Sequence, residues 1–166
     1  DCYELAHYMR RRLLGELEFA TSLIVDRKWM NRRQLCRIYA CESDMLSDTR
    51  RQIRSSMLLR GIKLDHVSRD VASVNSLNTI ELVADDTLSL LITRARDLKV
   101  RIHKCEKAIR KEFADDEMFR LLYSIPGFGL ITTAYIVSMI VDIDRFEDAK
   151  MFSAYFGIVP KQRESG

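Results

Sequence analysis

Apolar residues recur at steps of three and four along most of the chain, which is the spacing of one face of an α-helix. The regularity is strongest between residues 79 and 113, where the two steps alternate as in a heptad repeat. This seam consists of Ala84, Leu88, Leu91, Ala95, Leu98, Ile102, Cys105 and Ile109. It needs a partner, because soluble monomers rarely expose a long apolar stripe. The seam predicts a coiled-coil arm, with the core of an ordinary helical bundle as the alternative.

A second long helix is predicted over residues 30–60 and ends at Gly61, which suits a C-terminal cap. Its apolar stripe consists of Leu35, Ile38, Tyr39, Met45, Leu46, Ile53 and Met57. Folding this helix back would give an antiparallel pair within one chain. Pairing the arms of two chains would give a homodimer, and the pattern leaves both arrangements open.

The other segments complete an all-α fold class. Residues 2–14 predict a first helix, and residues 62–78, rich in Ser, Asn and Asp, predict a connecting loop with room for one helical turn. Glycine and proline are rare, and no long stretch alternates as a strand would. Acidic residues at 115–117 are expected to cap a helix, and Asp142 and Asp144 to begin a turn, so both sets are interpreted as structural.

A Pro-Gly-Phe-Gly segment at residues 126–129 separates two helical stretches. Pro126 is poor inside a helix because it lacks an N–H, while Gly127 and Gly129 leave a ligand free to approach the backbone. The next helix would begin with unpaired N–H groups at the positive end of its dipole, which favours phosphate. The pattern predicts a helix-hairpin-helix that binds DNA backbone, with a plain turn as the alternative. The predicted contact residues are Pro126, Gly127, Phe128, Gly129, Leu130 and Ile131.

Three motifs follow this turn: Asp-x-x-Arg-Phe at residues 142–146, Ala-x-Phe-Gly-Ile-x-Pro at 154–160 and Glu-Ser-Gly at 164–166. With the turn, they resemble the C-terminal domain of the DEDD-type insertion-sequence transposases related to the pilin-gene invertase Piv. The opening Asp-Cys-Tyr-Glu-Leu-Ala is similar to the Asp-Ala-x-x-Leu-Ala helix that ends the nuclease-like domain of that family. Cys2 replaces the usual Ala. The helical middle is less diagnostic.

The resemblance implies catalytic roles for two residues. In that family a serine of the matching Ser-Gly segment attacks a DNA phosphodiester, and here that residue is Ser165. Asp1 would be the last of four acids that bind Mg²⁺ in the full-length protein. With one of the four acids present, we expect an excised fragment that carries out no strand transfer alone and binds no cofactor. A guide-like structured RNA is a further partner implied by the resemblance.

Composition adds limits. About half of the 166 residues are hydrophobic and a third are charged, which is typical of a globular protein. No apolar run approaches the roughly 20 residues that cross a bilayer, and no secretory signal is present, so we expect a cytoplasmic protein without a membrane segment. The four cysteines show no metal-binding or disulfide spacing, which predicts reduced thiols.

The net charge of +3 argues only weakly for nucleic acid. Near the hairpin, Lys150, Lys161 and Arg163 are the predicted DNA contacts. Residues 93–104 carry a further basic cluster, which either follows phosphates or is a solvated helix face. This cluster consists of Arg94, Arg96, Lys99, Arg101 and Lys104.

The predicted domains are a nuclease-like tail (1–29), a helical coiled-coil linker (30–114) and the start of a transposase C-terminal domain with its helix-hairpin-helix (115–166). The chain is accordingly interpreted as a fragment of a DNA transposase or recombinase. Two alternatives stay open. One is a non-catalytic helix-hairpin-helix DNA-binding module, and the other is a coiled-coil interaction protein in which residues 126–129 are a plain turn.

Overall fold

A computed structural model describes residues 2–15, 25–62 and 70–157 of the chain. These residues form α-helices joined by turns, and the described ranges contain no strand, which confirms the all-α class. The helices are α1 (Cys2–Leu13), α2 (Arg27–Leu59), α3 (Val74–Glu81), α4 (Asp86–Glu112), α5 (Glu117–Tyr123), α6 (Leu130–Ile140) and α7 (Ala149–Tyr155). Within the same ranges, none of the helices has the length and apolar character needed to span a bilayer.

Aspartate caps set where four of the helices begin. Asp26, Asp85, Asp116 and Asp148 precede α2, α4, α5 and α7. Each carboxylate accepts a hydrogen bond from the backbone N–H three residues later, at 3.0, 2.8, 2.9 and 2.6 Å respectively. Such a cap stabilises a helix by about 1 kcal/mol. The predicted structural role of the acids at 115–117 is confirmed by Asp116.

Helices α2 and α4 run antiparallel and together form what we call the arm. Ion pairs between them mark the register: Arg60 with Asp85, Arg101 with Glu42, and Arg32 with Glu112. The arm tip is the end with the first of these pairs, and the arm base is the end with the last. The seam of α4 therefore has a partner within the chain. Its identification as a coiled coil remains a prediction.

The buried positions of the arm differ in part from the predicted stripes. Ile92 is fully buried although the seam omitted it, whereas Ile38 and Met45 are each 40% exposed. Cys36 and Thr49 are buried on α2 in their place. A straight helix has 3.6 residues per turn and drifts by about 20° per heptad, so a strict heptad register loses the buried face along a long helix.

The loop predicted over residues 62–78 is wrong at its end, because residues from Val74 form α3. Ser73 caps this helix by accepting from the Ser76 N–H at 3.2 Å. Leu77 and Ile80 are buried in the core of the arm, and this burial outweighs the low helix propensity of the Ser- and Asn-rich sequence. The helix predicted from residue 79 begins only at Asp86, after a turn.

Helices α5 and α6 pack on the arm base and form the head. A second hydrophobic core joins the two parts, with residues from α2, α4, α5 and α6 and the segment after α4. Its buried members are Cys36, Ile109, Phe113, Phe119, Ala134 and Val137. This core therefore holds both helices that flank the turn between α5 and α6 against the arm base.

Candidate nucleic-acid interface at the turn between α5 and α6

Residues 125–129 form the turn between α5 and α6, with a glycine in the backbone conformation that favours glycine. The Phe128 N–H donates to the Ile125 carbonyl at 3.1 Å and closes the turn. Gly127 has a φ of +96°, which L side chains rarely adopt. Pro126, Gly127 and Gly129 are exposed, and Phe128 is half-buried. The turn therefore presents its backbone to solvent.

Helix α6 begins without a side-chain cap. Its N-cap residue, Gly129, has no side chain to bond the N–H groups that follow. Within the described part of the chain, the N–H groups of Leu130, Ile131 and Thr132 have no hydrogen-bond acceptor. A Cβ built on Gly127 or Gly129 would meet nothing within 4 Å. Three donors at the positive end of a helix dipole are thus open to an anion.

A buried side chain holds the first turn of α6 in place. Thr133 is fully buried, and its hydroxyl donates to the Gly129 carbonyl at 2.9 Å. Ring contacts support α5 on the other side of the turn: Phe113 and Phe119 are tilted with centroids 5.3 Å apart, and Phe119 and Tyr123 are stacked with centroids 5.6 Å apart. The exposed donors therefore sit on buried side chains that hold their direction.

At the C-terminal end of α6, in contrast to its N-terminal end, side chains donate hydrogen bonds to the backbone carbonyls. Arg33 donates to the Ser138 carbonyl at 2.9 Å. Arg145 and the Tyr155 hydroxyl donate to the Met139 carbonyl at 3.3 and 3.2 Å. The Arg145 guanidinium also lies 4.4 Å from the centroids of the Phe146 and Tyr155 rings. Cationic groups here complement the negative end of the helix dipole.

These contacts place α7 at the end of α6 remote from the turn. Lys150, a predicted DNA contact, is exposed on α7, whose contacts with α6 are made through Tyr155 and Met139. The described contacts therefore do not bring Lys150 beside the turn. Lys161, Arg163, Ser165 and Asp1 lie outside the described residues, so their predicted roles are not tested.

Some of the charged residues singled out in the sequence form contacts within the protein. Of the basic cluster at residues 93–104, Arg96 pairs with Glu81 at 2.7 Å and the Lys99 ammonium donates to the Ala72 carbonyl at 2.6 Å. Asp142 accepts from the Asp144 N–H at 3.0 Å, which confirms that this pair begins a turn.

Among the described residues, no group of three or more His, Cys, Asp or Glu side chains could hold a metal ion.

Sequence analysis assigned no role to Arg32, which is followed directly by a second arginine, Arg33. Arg32 is only 2% exposed, and its guanidinium lies 4.6 Å from the centroid of the Trp29 ring and 4.5 Å from that of the Phe113 ring. It also donates to the Glu112 carbonyl at 3.1 Å. Its position four residues before the buried Cys36 was the one available signal, because residues four apart share a helix face.

The comparisons with known proteins find similarity to proteins of bacterial insertion elements. Residues 119–166 match the family model described as "Transposase IS116/IS110/IS902 family". A transposase for insertion sequence element IS1328 from Yersinia enterocolitica is 29% identical over 121 residues, which cover 69% of this chain and 35% of that protein. A transposase for insertion sequence element IS1111A from Coxiella burnetii is 29% identical over 79 residues, covering 48% of this chain and 22% of that protein.

A third relative is the insertion element IS116 uncharacterized 44.8 kDa protein of Streptomyces clavuligerus, 30% identical over 69 residues. That alignment covers 42% of this chain and 17% of the relative. The chain thus spans about a third or less of the length of these curated relatives. No solved structure matches it. The similarity is therefore to transposases and another insertion-element protein, over part of the length of each.

Proposed function

We propose that this chain, which is similar over residues 119–166 to the IS116/IS110/IS902 family of transposases, is the part of a DNA transposase that binds the DNA backbone through the turn between α5 and α6. The observation that carries the proposal is the start of α6, where the N–H groups of Leu130, Ile131 and Thr132 are open and uncapped. A phosphate fits three such donors, and the contact needs no particular base. The turn would therefore act as a helix-hairpin-helix.

The chemistry of the full-length protein is proposed from the resemblance to the DEDD-type family. Ser165 would attack a phosphodiester through its hydroxyl oxygen, forming a serine–phosphate bond as the phosphorus–oxygen bond to the leaving strand breaks. Four acids, with Asp1 as the last, would hold Mg²⁺, which stabilises charge that develops on phosphate oxygens. Positioning carries most of such a reaction, so a serine without a neighbouring histidine suffices.

The arm has a separate proposed role. Since α2 begins and α4 ends at the arm base, the arm would project away from the junction between the head and the nuclease-like domain expected before it, with a core of its own. Pairing of two arms would give a homodimer of transposase chains, and a structured RNA would select the DNA sites. Because the seam of α4 is covered by α2, the homodimer would pair other faces of the arms, and it stays a prediction from the sequence pattern. The RNA is proposed from the family resemblance.

Two substitutions at Gly129 test the proposed phosphate contact. Alanine adds one methyl group that meets no protein atom, so the free protein should keep its fold. The methyl would lie where a phosphate must approach, and we expect the affinity for duplex DNA at low salt to fall about tenfold or more, as the loss of a charge-assisted contact implies. Fluorescence anisotropy with a labelled duplex of arbitrary sequence measures the change.

Gly129→Ser distinguishes lost contact from a frayed helix. Serine is a good N-cap, so it stabilises the start of α6 while its hydroxyl occupies the donors. If fraying caused the loss of affinity in the alanine variant, serine would restore binding. Under the proposal serine binds DNA no better than alanine. Wild-type affinity in both variants would overturn the proposed site.

The catalytic part of the proposal needs the full-length protein and a different experiment. Ser165→Ala should abolish the covalent serine–DNA adduct and leave duplex affinity unchanged. An adduct that still forms would exclude Ser165 as the nucleophile. A full-length protein that binds DNA but forms no adduct with or without Ser165 would support the non-catalytic DNA-binding module instead.

A further inference from the structure

The two halves of the arm differ in charge. Toward the base, residues 26–43 and 100–112 carry ten Lys and Arg side chains and four Asp and Glu. Toward the tip, residues 44–60 and 86–99 carry seven Lys and Arg side chains and four Asp and Glu. The positive charge of the arm is therefore concentrated on the half that supports the head.

Three lysines of α4 form a continuous row on this basic half. Lys104, Lys107 and Lys111 are exposed and lie at steps of three and four, so they share one face of the helix. We call this row the lysine stripe. The side of α4 that packs into the protein carries Ile102, Ile109 and Leu98 instead, so the stripe faces away from α2.

The stripe has no acidic partner within the described residues, because the carboxylates nearest in sequence are engaged elsewhere. The Glu106 carboxylate lies 3.6 Å from Nδ1 of His103, and Glu112 pairs with Arg32 at 3.4 Å. None of the three lysines makes an ion pair or a side-chain hydrogen bond to the described part of the chain. The like charges therefore repel one another, and a polyanion would relieve the repulsion.

The dimensions of the stripe suit a nucleic-acid backbone. From Lys104 to Lys111 the helix rises about 10 Å. One strand of duplex DNA carries a phosphate about every 3.4 Å along its axis, so the stripe spans roughly three phosphates. A compact anion such as free phosphate would contact one or two of the lysines, whereas an extended strand can contact all three.

We propose that the lysine stripe on α4 is a second DNA-binding surface, which holds the phosphate backbone of duplex DNA outside the turn between α5 and α6. This inference rests on the proposed DNA binding of the chain. Since α4 and α6 share one hydrophobic core, the stripe and the turn belong to a single rigid body. DNA bound at both would be fixed in orientation as well as in position.

The test is the salt dependence of duplex affinity for the whole chain. A triple variant, Lys104→Gln with Lys107→Gln and Lys111→Gln, should bind at least tenfold more weakly near 0.1 M salt, and the slope of log affinity against log salt should fall by about 2–3. The matched control removes three exposed cations from other faces: Lys28→Gln, Arg37→Gln and Arg94→Gln. It should change the slope by less than 1. Circular dichroism checks that both variants remain helical.

Each other outcome has a defined meaning. Equal losses in the stripe variant and the control would show that only net charge matters, and would overturn the stripe. An unchanged slope in the stripe variant would do the same, as would a polyglutamate peptide that competes as well as DNA. Loss of binding in Gly129→Ala with retention in the stripe variant would overturn the stripe and leave the proposed function intact. A wild-type chain with no affinity for duplex at low salt would defeat the proposed function itself.

Discussion

The guanidinium of Arg32 on α2 lies 2.5 Å from the carboxylate of Asp116, the residue that caps α5. Their side chains are 3% and 13% exposed, so the pair is largely shielded from water. Asp116 thus bonds to Arg32 and to the Phe119 N–H at the same time. The contact ties the arm to the head at the residue where the head begins.

Arg32→Ala should be strongly destabilising. It leaves Asp116 largely buried without its cation and removes the group packed against two aromatic rings, and breaking a buried pair costs about 3–5 kcal/mol. Urea unfolding followed by circular dichroism measures the change. The control is Arg101→Ala, whose side chain is 63% exposed and lies 3.7 Å from Glu42, with an expected cost below about 1 kcal/mol. Equal costs for the two variants would contradict the buried location of Arg32.

Leu88 and Leu90 test the register of the arm. Leu88 is fully buried and Leu90 is 72% exposed, although they lie two residues apart on α4. Truncation of a buried leucine leaves a cavity, so Leu88→Ala should lower the free energy of unfolding by about 2–5 kcal/mol. Leu90→Ala should change it by less than about 0.5 kcal/mol. The reverse order would mean that α4 is rotated from the orientation described.

The backbone at Gly127 predicts a stability cost that Gly129 does not share. Gly127 has a φ of +96°, whereas Gly129 has −78°. An added Cβ meets no atom at either position, so the difference is one of backbone conformation. Gly127→Ala should cost about 1–2 kcal/mol, and Gly129→Ala less than about 1 kcal/mol. Thermal unfolding of both variants provides the comparison, and similar melting temperatures would contradict the conformation of the turn.

Asp85 should contribute to the acid dependence of stability. The Leu88 N–H, and after it the Arg60 guanidinium, hold the pKa of Asp85 below its ordinary value of 3.8. A depressed pKa stabilises the fold above the unfolded value, and this stabilisation is lost as the pH falls through the folded value. The melting temperature should therefore decline below about pH 3.8 more steeply in the wild type than in Asp85→Asn, which keeps a capping side chain without the charge. Identical slopes in the two proteins would exclude the contribution.

The cysteines of α2 should differ in reactivity. Cys36 is 1% exposed at the contact with α6, and burial raises the pKa of its thiol, whereas Cys41 is exposed. Because the thiolate is the reactive form, Cys41 should react rapidly with a disulfide reagent and Cys36 only after unfolding. Mass spectrometry of the modified peptides assigns each site. Rapid modification of Cys36 in the native protein would show that α6 does not cover it.

The elements that sequence predicted best are those whose signal is periodic. The long helices of the arm follow from apolar spacing, and the exposed turn follows from its glycines, because each depends on local backbone chemistry. Helix α3 was missed because its formation depends on the burial of Leu77 and Ile80, which a Ser- and Asn-rich sequence does not reveal.

For the candidate site, sequence indicated the open end of α6 and missed what holds the closed end. Arg33 reaches the Met139 carbonyl from 106 positions away in the sequence, and no local pattern connects residues so far apart. Arg145 lies only six positions from Met139, but nothing in its motif indicates this contact. Arg32 was equally hidden, because a basic dipeptide ordinarily marks a solvated surface. The residues proposed for catalysis, Ser165 and Asp1, rest on the family resemblance alone.

Because α2 is long, a small change of angle at the contact between Arg32 and Asp116 would move the distant arm tip a long way. With 33 residues the helix is about 50 Å long. A tilt of about 5° at the head would swing the arm tip through about 4 Å, by the geometry of a rod of that length. An offset of that size exceeds the roughly 1 Å tolerance of a reacting centre. The rigidity of the contact between Arg32 and Asp116 would therefore determine how precisely the arm tip is positioned relative to the head.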